Sequence, residues 1–193
     1  MHQGLRVIAD EHRSISSVLS GLSHFAEHGL QGKRVPDARV FRAMLQYLDL
    51  FGERMHHPKE DAHLFSRLRE RTRLADEVLD RLQEDHSYGA GALRRVEQAF
   101  LRYEEGGAPF FAVFAREVLR YVAFYREHMR VEETLIFPLA ERELQDEDWR
   151  AIEAAFAAHQ DPIASRGEEL DLQTLFTRIV TITPAPIGVG EEV

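Results

Sequence analysis

Two stretches of the chain set an imidazole and a carboxylate at the same spacing. One reads Met55-His56-His57-Pro58-Lys59-Glu60-Asp61, the other Glu127-His128-Met129-Arg130-Val131-Glu132-Glu133. In both, a His precedes a Glu by four residues, an acidic residue follows the Glu, and a Phe stands five positions after the Glu. Residues four apart share one face of a helix, a turn above one another. Each stretch therefore aims an imidazole and a carboxylate at one point. Each also has a solitary His upstream, His12 lying 44 residues before His56 and His86 lying 42 before His128. One His-x-x-x-Glu is common on surface helices, whereas a duplicated set in matched order is not a chance pattern. Burying four imidazoles and two carboxylates together is very costly without partners, and a pair of metal cations removes that objection. Donors of nitrogen and oxygen with no sulfur suit iron, manganese or zinc. If Glu60 and Glu132 both bridge, positions remain open for water or a small ligand.

The elements that must hold these residues are long amphipathic helices. Leu5, Ile8, His12, Ile15, Leu19 and Leu22 recur at three- and four-residue steps, which predicts a helix from about Gln3 to Ala26. A second runs from about Ala38 to Leu68 and presents Phe41, Leu45, Leu48, Gly52, His56 and Glu60 on one side, with Pro58 expected to kink or bulge it beside the ligands. Gly52 leaves room there either for a small ligand or for close helix packing. The third carries Val78, Leu82, His86, Gly89, Leu93, Val96 and Phe100; the fourth carries Phe114, Val118, Tyr121, Tyr125, His128 and Glu132. Short links between them predict an all-α, up-down-up-down antiparallel four-helix bundle over residues 1–145. Residues 146–193 read as a short fifth helix, from Asp146 to about His159, and a tail packed on the bundle within a single domain, fraying at Glu191–Val193.

Composition bounds the rest. The 193-residue chain has no cysteine and a formal net charge of −9. Disulfides, thiolate ligands and a cysteine nucleophile are excluded together, and an acidic balance argues against nucleic acid as a partner. The N-terminus has no signal-like apolar run and no stretch reaches membrane-spanning length, so a cytoplasmic protein without a membrane partner is expected. Among the other histidines, His57 lies about 100° around the helix from His56 and reads as a bystander. His63 reads as a polar rim residue or a partner behind the ligands, and His159 as a core or capping residue that could reach the bundle. His2, His24 and His28 read as surface residues.

The set His12, His56-x-x-x-Glu60, His86 and His128-x-x-x-Glu132 resembles the hemerythrin-like, or HHE cation-binding, domain family over residues 5–140. The stretch from Asp148-Trp149 to Asp161-Pro162 and the tail Pro184-Ala185-Pro186-Ile187-Gly188 are similar to C-terminal extensions of some bacterial members. The resemblance implies a non-haem centre of two iron ions, with manganese or zinc as possible substitutes, that meets dioxygen, peroxide or nitric oxide. In oxygen-carrying members a second His follows the third-helix ligand by four residues, and this chain has Ala90 there. Reversible oxygen carriage is accordingly less secure than reactive chemistry or iron, oxygen and redox sensing, including a metal-dependent interaction module. Beside the ligands stand Tyr125 and Tyr121 in one repeat and Glu53 in the other. The phenols either donate a hydrogen bond to a bound small ligand or pack as core aromatics, and Glu53 either shuttles protons or faces solvent.

Overall fold

The computed structural model describes residues 1–157 and 168–190, and among them the fold is helical with no strand. Helix α1 spans Gln3–Leu30, one turn longer than the apolar stripe predicts. It stops at Gly32, whose φ of +72° suits a residue without a Cβ. Asp37 then opens α2 by accepting a hydrogen bond from the Arg39 backbone N–H at 2.8 Å. Helix α2 runs unbroken through Ala38–Tyr47, Leu48–His56, His57–Lys59, Glu60–Phe65 and Ser66–Arg71. Its second and fourth parts are π-helical: the N–H of His57 reaches the carbonyl of Gly52, and that of Ser66 the carbonyl of Asp61, each five residues back. Pro58 sits between them. It has no N–H to give and its ring would clash with the carbonyl four residues earlier in an α turn, so the wider turn relieves both problems. The bulge expected at Pro58 is thus a pair of widened turns.

Helix α3, Asp76–Gly106, and helix α4, starting at Ala108, meet at Gly107, where φ is +71°. Helix α4 runs through Ala108–Val131, a π-helical Glu132–Ile136 and Phe137–Glu143, with Pro138 following the widened turn. Helix α5 is Asp146–Ala157 and α6 is Glu168–Ile182. Trp149, Ile152 and Phe156 of α5 are buried against Leu5 and Ile8 of α1. Arg71 ties α5 to the end of α2, its Nε donating to Asp148 at 2.7 Å. In α6, Leu175 and Ile179 join the core beside α2, where Phe176 packs on Tyr47 with ring centroids 5.5 Å apart. His159, Asp161-Pro162 and Glu191–Val193 lie outside the described residues. Among the described residues, no helix is long and apolar enough to cross a membrane.

The apolar interior comes in two parts. One holds Leu5 and Ile8 of α1, Leu64 and Phe65 of α2, Leu79 and Leu82 of α3, and Val131 and Ile136 of α4. The other holds Ile15 onward in α1, Val40 to Leu48 in α2, Ala92 to Phe100 in α3, and Phe111 to Met129 in α4. Every long helix crosses from one part to the other at its own metal-ligand candidates: His12, His56 with Glu60, His86, and His128 with Glu132. The folding force is apolar burial on both sides, and the polar residues form a belt between.

Candidate metal centre

All six sequence-identified residues converge in this belt. His56, Glu60 and Glu132 are wholly buried, and His12, His128 and His86 expose 2, 3 and 8%. The two carboxylates lie between two pairs of imidazoles. Glu60 turns Oε1 toward His12 Nε2 and His56 Nε2, at 3.5 and 3.4 Å, and Oε2 toward His86 Nε2 at 3.7 Å. Glu132 turns Oε2 toward His12 Nε2 at 3.3 Å and Oε1 toward His128 Nε2 at 3.3 Å and His86 Nε2 at 3.9 Å. The Nε2 atoms of His86 and His128 approach to 3.1 Å. Among the described residues, His12, His56 and Glu60 form one grouping able to hold an ion, and Glu60, His86, His128 and Glu132 another.

The donor atoms fit a metal on their own evidence. Nε2 of His12 and of His56, and all four carboxylate oxygens of Glu60 and Glu132, are buried with no hydrogen-bond partner. Each buried polar atom left unsatisfied costs about 1–3 kcal/mol, more when charged. Six such atoms around one space are what a bound cation would satisfy.

Behind the imidazoles stands a further layer that the sequence reading did not assign. His12 Nδ1 lies 2.9 Å from Glu133, His56 Nδ1 2.8 Å from Glu11, and His86 Nδ1 3.1 Å from Asp61, while His128 Nδ1 lies 3.7 Å from Asp85. At the three shorter pairs the carboxylate only accepts, so it fixes the proton on Nδ1 and leaves Nε2 to face inward. The arrangement repeats. The acid before His12 serves His56 and the acid before His86 serves His128; the acid after Glu60 serves His86 and the acid after Glu132 serves His12. Its signal was in the text as Glu11-His12, Asp85-His86, Glu60-Asp61 and Glu132-Glu133.

The family model of the hemerythrin HHE cation-binding domain matches residues 3–140. The chain belongs to that family. Comparison with curated proteins and with solved structures found no match.

Around the candidate ligands, this hemerythrin-like chain departs from its sequence reading in three places. His57 is turned inward: it exposes 3% and stacks on His86 with ring centroids 4.2 Å apart. The 100° offset from His56 assumed α-helical winding. The π turn ending at His56 reduces the angle between successive side chains, so two neighbours can both face inward. Glu53 does not face solvent either. Its side chain exposes 4%, with Oε2 3.3 Å from His57 Nδ1 and Oε1 accepting from the Tyr121 hydroxyl at 2.8 Å. The two tyrosines then differ: Tyr121 has a satisfied hydroxyl, whereas the Tyr125 hydroxyl is buried without a partner. Gly52 makes room for that hydroxyl, since a Cβ there would meet it at 2.7 Å. His63 is half-buried and belongs to none of the ion-holding groupings.

Charge in the metal-free belt is balanced internally. Burial opposes the charge of His86, but Asp61, Glu132 and Glu60 hold it up at about 9. Burial likewise opposes His128, and Glu132, Asp85 and Glu60 hold it up at about 10. His12 is raised well above the usual range against the same burial by Glu132, Glu133 and Glu60. Burial pushes Glu132 up, yet His128, His12 and His86 outweigh it and hold Glu132 well below the carboxylate range. For His57 burial wins and pulls the ring down to about 3, so it is neutral.

Proposed function

We propose that this chain is a hemerythrin-like di-iron protein that binds or reacts with dioxygen, peroxide or nitric oxide. His12 and His56 would hold one ion and His86 and His128 the other, with Glu60 and Glu132 shared between them. One observation carries this reading: each carboxylate turns one oxygen to each pair of imidazoles. The four long helices are proposed to run up-down-up-down over residues 1–145, with the described residues 146–157 and 168–190 packed on them. The alternation of helix ends in the two halves of the core supports that arrangement.

Bound iron supplies electron transfer, Lewis acidity and a place for a small ligand. The chain supplies the rest. Glu11, Glu133 and Asp61 hold His56, His12 and His86 in one tautomer and one orientation, and Asp85 stands farther behind His128. The apolar layers on either side keep bulk water from the buried carboxylates, which strengthens every electrostatic contact there. Tyr125 offers a buried, uncommitted hydroxyl with its ring 6.1 Å from His128, and Glu53 with Tyr121 forms a polar pair that can hold a proton close by.

The test is metal content per chain after anaerobic loading with ferrous iron, followed by absorption spectra and consumption assays with air, peroxide and nitric oxide. Close to two irons per chain and a spectrum that changes with at least one of these ligands are expected. One iron or none in protein never exposed to chelator or acid would sink the dinuclear reading.

A further inference from the structure

We infer that His57 is a metal ligand, the fifth nitrogen of the centre, and that it makes the two metal positions unequal. The inference rests on the metal-centre reading above and adds a residue that the duplicated motif does not contain. Three observations carry it. One ring nitrogen from each of His57, His86 and His128 lies within 4.8 Å of the others. Both nitrogens of His57 are buried without a hydrogen-bond partner, although the ring exposes only 3%. Its Nδ1 faces Glu53 Oε2 at 3.3 Å, so it has a carboxylate behind it as each of the other four histidines does.

A histidine kept in the core merely for packing would satisfy at least one nitrogen by a short hydrogen bond. His57 is instead presented as a ligand is, with an acid behind Nδ1 and Nε2 left as the donor. The corresponding position in the second repeat is Met129, so this nitrogen has no counterpart there. It enters from α2, next to His56, and joins the imidazoles of α3 and α4. The nitrogen missing at Ala90 on α3 is thereby supplied from the neighbouring helix. The ion at His86 and His128 then has three imidazoles and two shared carboxylates, and the ion at His12 and His56 has two and two. The less saturated ion is the one at His12 and His56, and the small ligand binds there.

The experiment loads the full chain anaerobically with ferrous iron-57 and records Mössbauer spectra and iron release to a weak chelator, for the parent, His57→Phe and His57→Ala. The Phe variant keeps an aromatic ring between Tyr125 and His86 but has no nitrogen. Circular dichroism and thermal melting of the metal-free forms check the fold. The parent should show two doublets of equal area. Both variants should release one of their two irons at least about 10-fold faster, the loss expected when a ligand or its support is removed, with one doublet altered and the other kept. Two identical irons in the parent would overturn the role of His57, as would parent-like spectra and release in His57→Phe. Neither result would touch the dinuclear reading. A parent that takes up no iron overturns that reading itself, and the role of His57 with it.

Discussion

The carboxylates behind the imidazoles are unequal, and their distances rank them. Glu11 accepts from His56 Nδ1 at 2.8 Å and from Lys59 Nζ at 3.1 Å, with its side chain 13% exposed. Asp85 lies 3.7 Å from His128 Nδ1, beyond hydrogen-bond range. Removing an orienting carboxylate typically lowers metal affinity about 10- to 100-fold. Glu11→Gln should therefore weaken iron binding by that order, and Asp85→Asn by clearly less. Chelator competition on the two variants checks the ranking, and a larger loss from Asp85→Asn would show that these apparent supports do not act through hydrogen bonding. Residue by residue, the legible part of the site was what one helix displays along its own length. His56 with Glu60 and His128 with Glu132 are four-residue pairs, and His12 and His86 stand in unbroken apolar stripes. Glu11 and Asp61 were equally visible as neighbours, but their partners, His56 and His86, lie on other helices. Spacing within one helix carries no information about that contact. Buried Glu53 and the difference between Tyr121 and Tyr125 were hidden for the same reason.

At the scale of the element, one departure is α6, Glu168–Ile182, a helix where the sequence was read as a tail; those beside the site come from π turns. A period of 3.6 placed the four long helices and the register of their core faces, and Pro58 announced a disturbance. Sequence did not show that the disturbance would widen the winding and turn His57 inward, because the widening depends on what fills the space. Gly52 lies in that widened segment, opposite the Tyr125 hydroxyl. An alanine there gains roughly 1 kcal/mol of helix propensity, while overpacking a filled core typically costs about 1–3 kcal/mol. A Cβ at 2.7 Å from the hydroxyl must displace a rigid ring that is wholly buried, with no flexible side chain to yield. The packing cost wins. Gly52→Ala should lower stability by up to about 2 kcal/mol net, and it should perturb the spectrum of the loaded centre by moving Tyr125. Denaturant unfolding of the metal-free protein measures the first effect. An unchanged or higher midpoint would mean that the Tyr125 ring moves aside freely.

At the scale of the whole molecule, the polar belt sets how stability depends on pH, with opposite signs for the metal-free and loaded forms. In the metal-free form His86 and His128 are held up at about 9 and about 10, and His12 is raised as well. A histidine whose pKa is higher in the folded than in the unfolded chain stabilises fully below the unfolded value, near 6.5, and that contribution fades as pH rises through the folded value. Metal-free protein should thus lose stability steadily from about pH 7 to about pH 10. His57 and Glu132 act only on the acid side. His57, pulled down to about 3, refuses a proton that the unfolded chain accepts below about pH 6.5. Glu132, held below the carboxylate range, loses its contribution only as acid protonates it. In the loaded form the same imidazoles are neutral donors, so loading near pH 7 should release protons. The loaded protein should hold its melting temperature up to about pH 10, then lose metal and stability together below about pH 6, as protons compete for the imidazoles. Thermal unfolding of both forms across this range, with proton release followed in weak buffer during loading, measures each half. The gap in melting temperature should widen steadily as pH rises. A gap that narrows toward pH 10, or loading near pH 7 with no proton released, would mean that the histidines are not the protonated counter-ions of Glu60 and Glu132 before metal arrives.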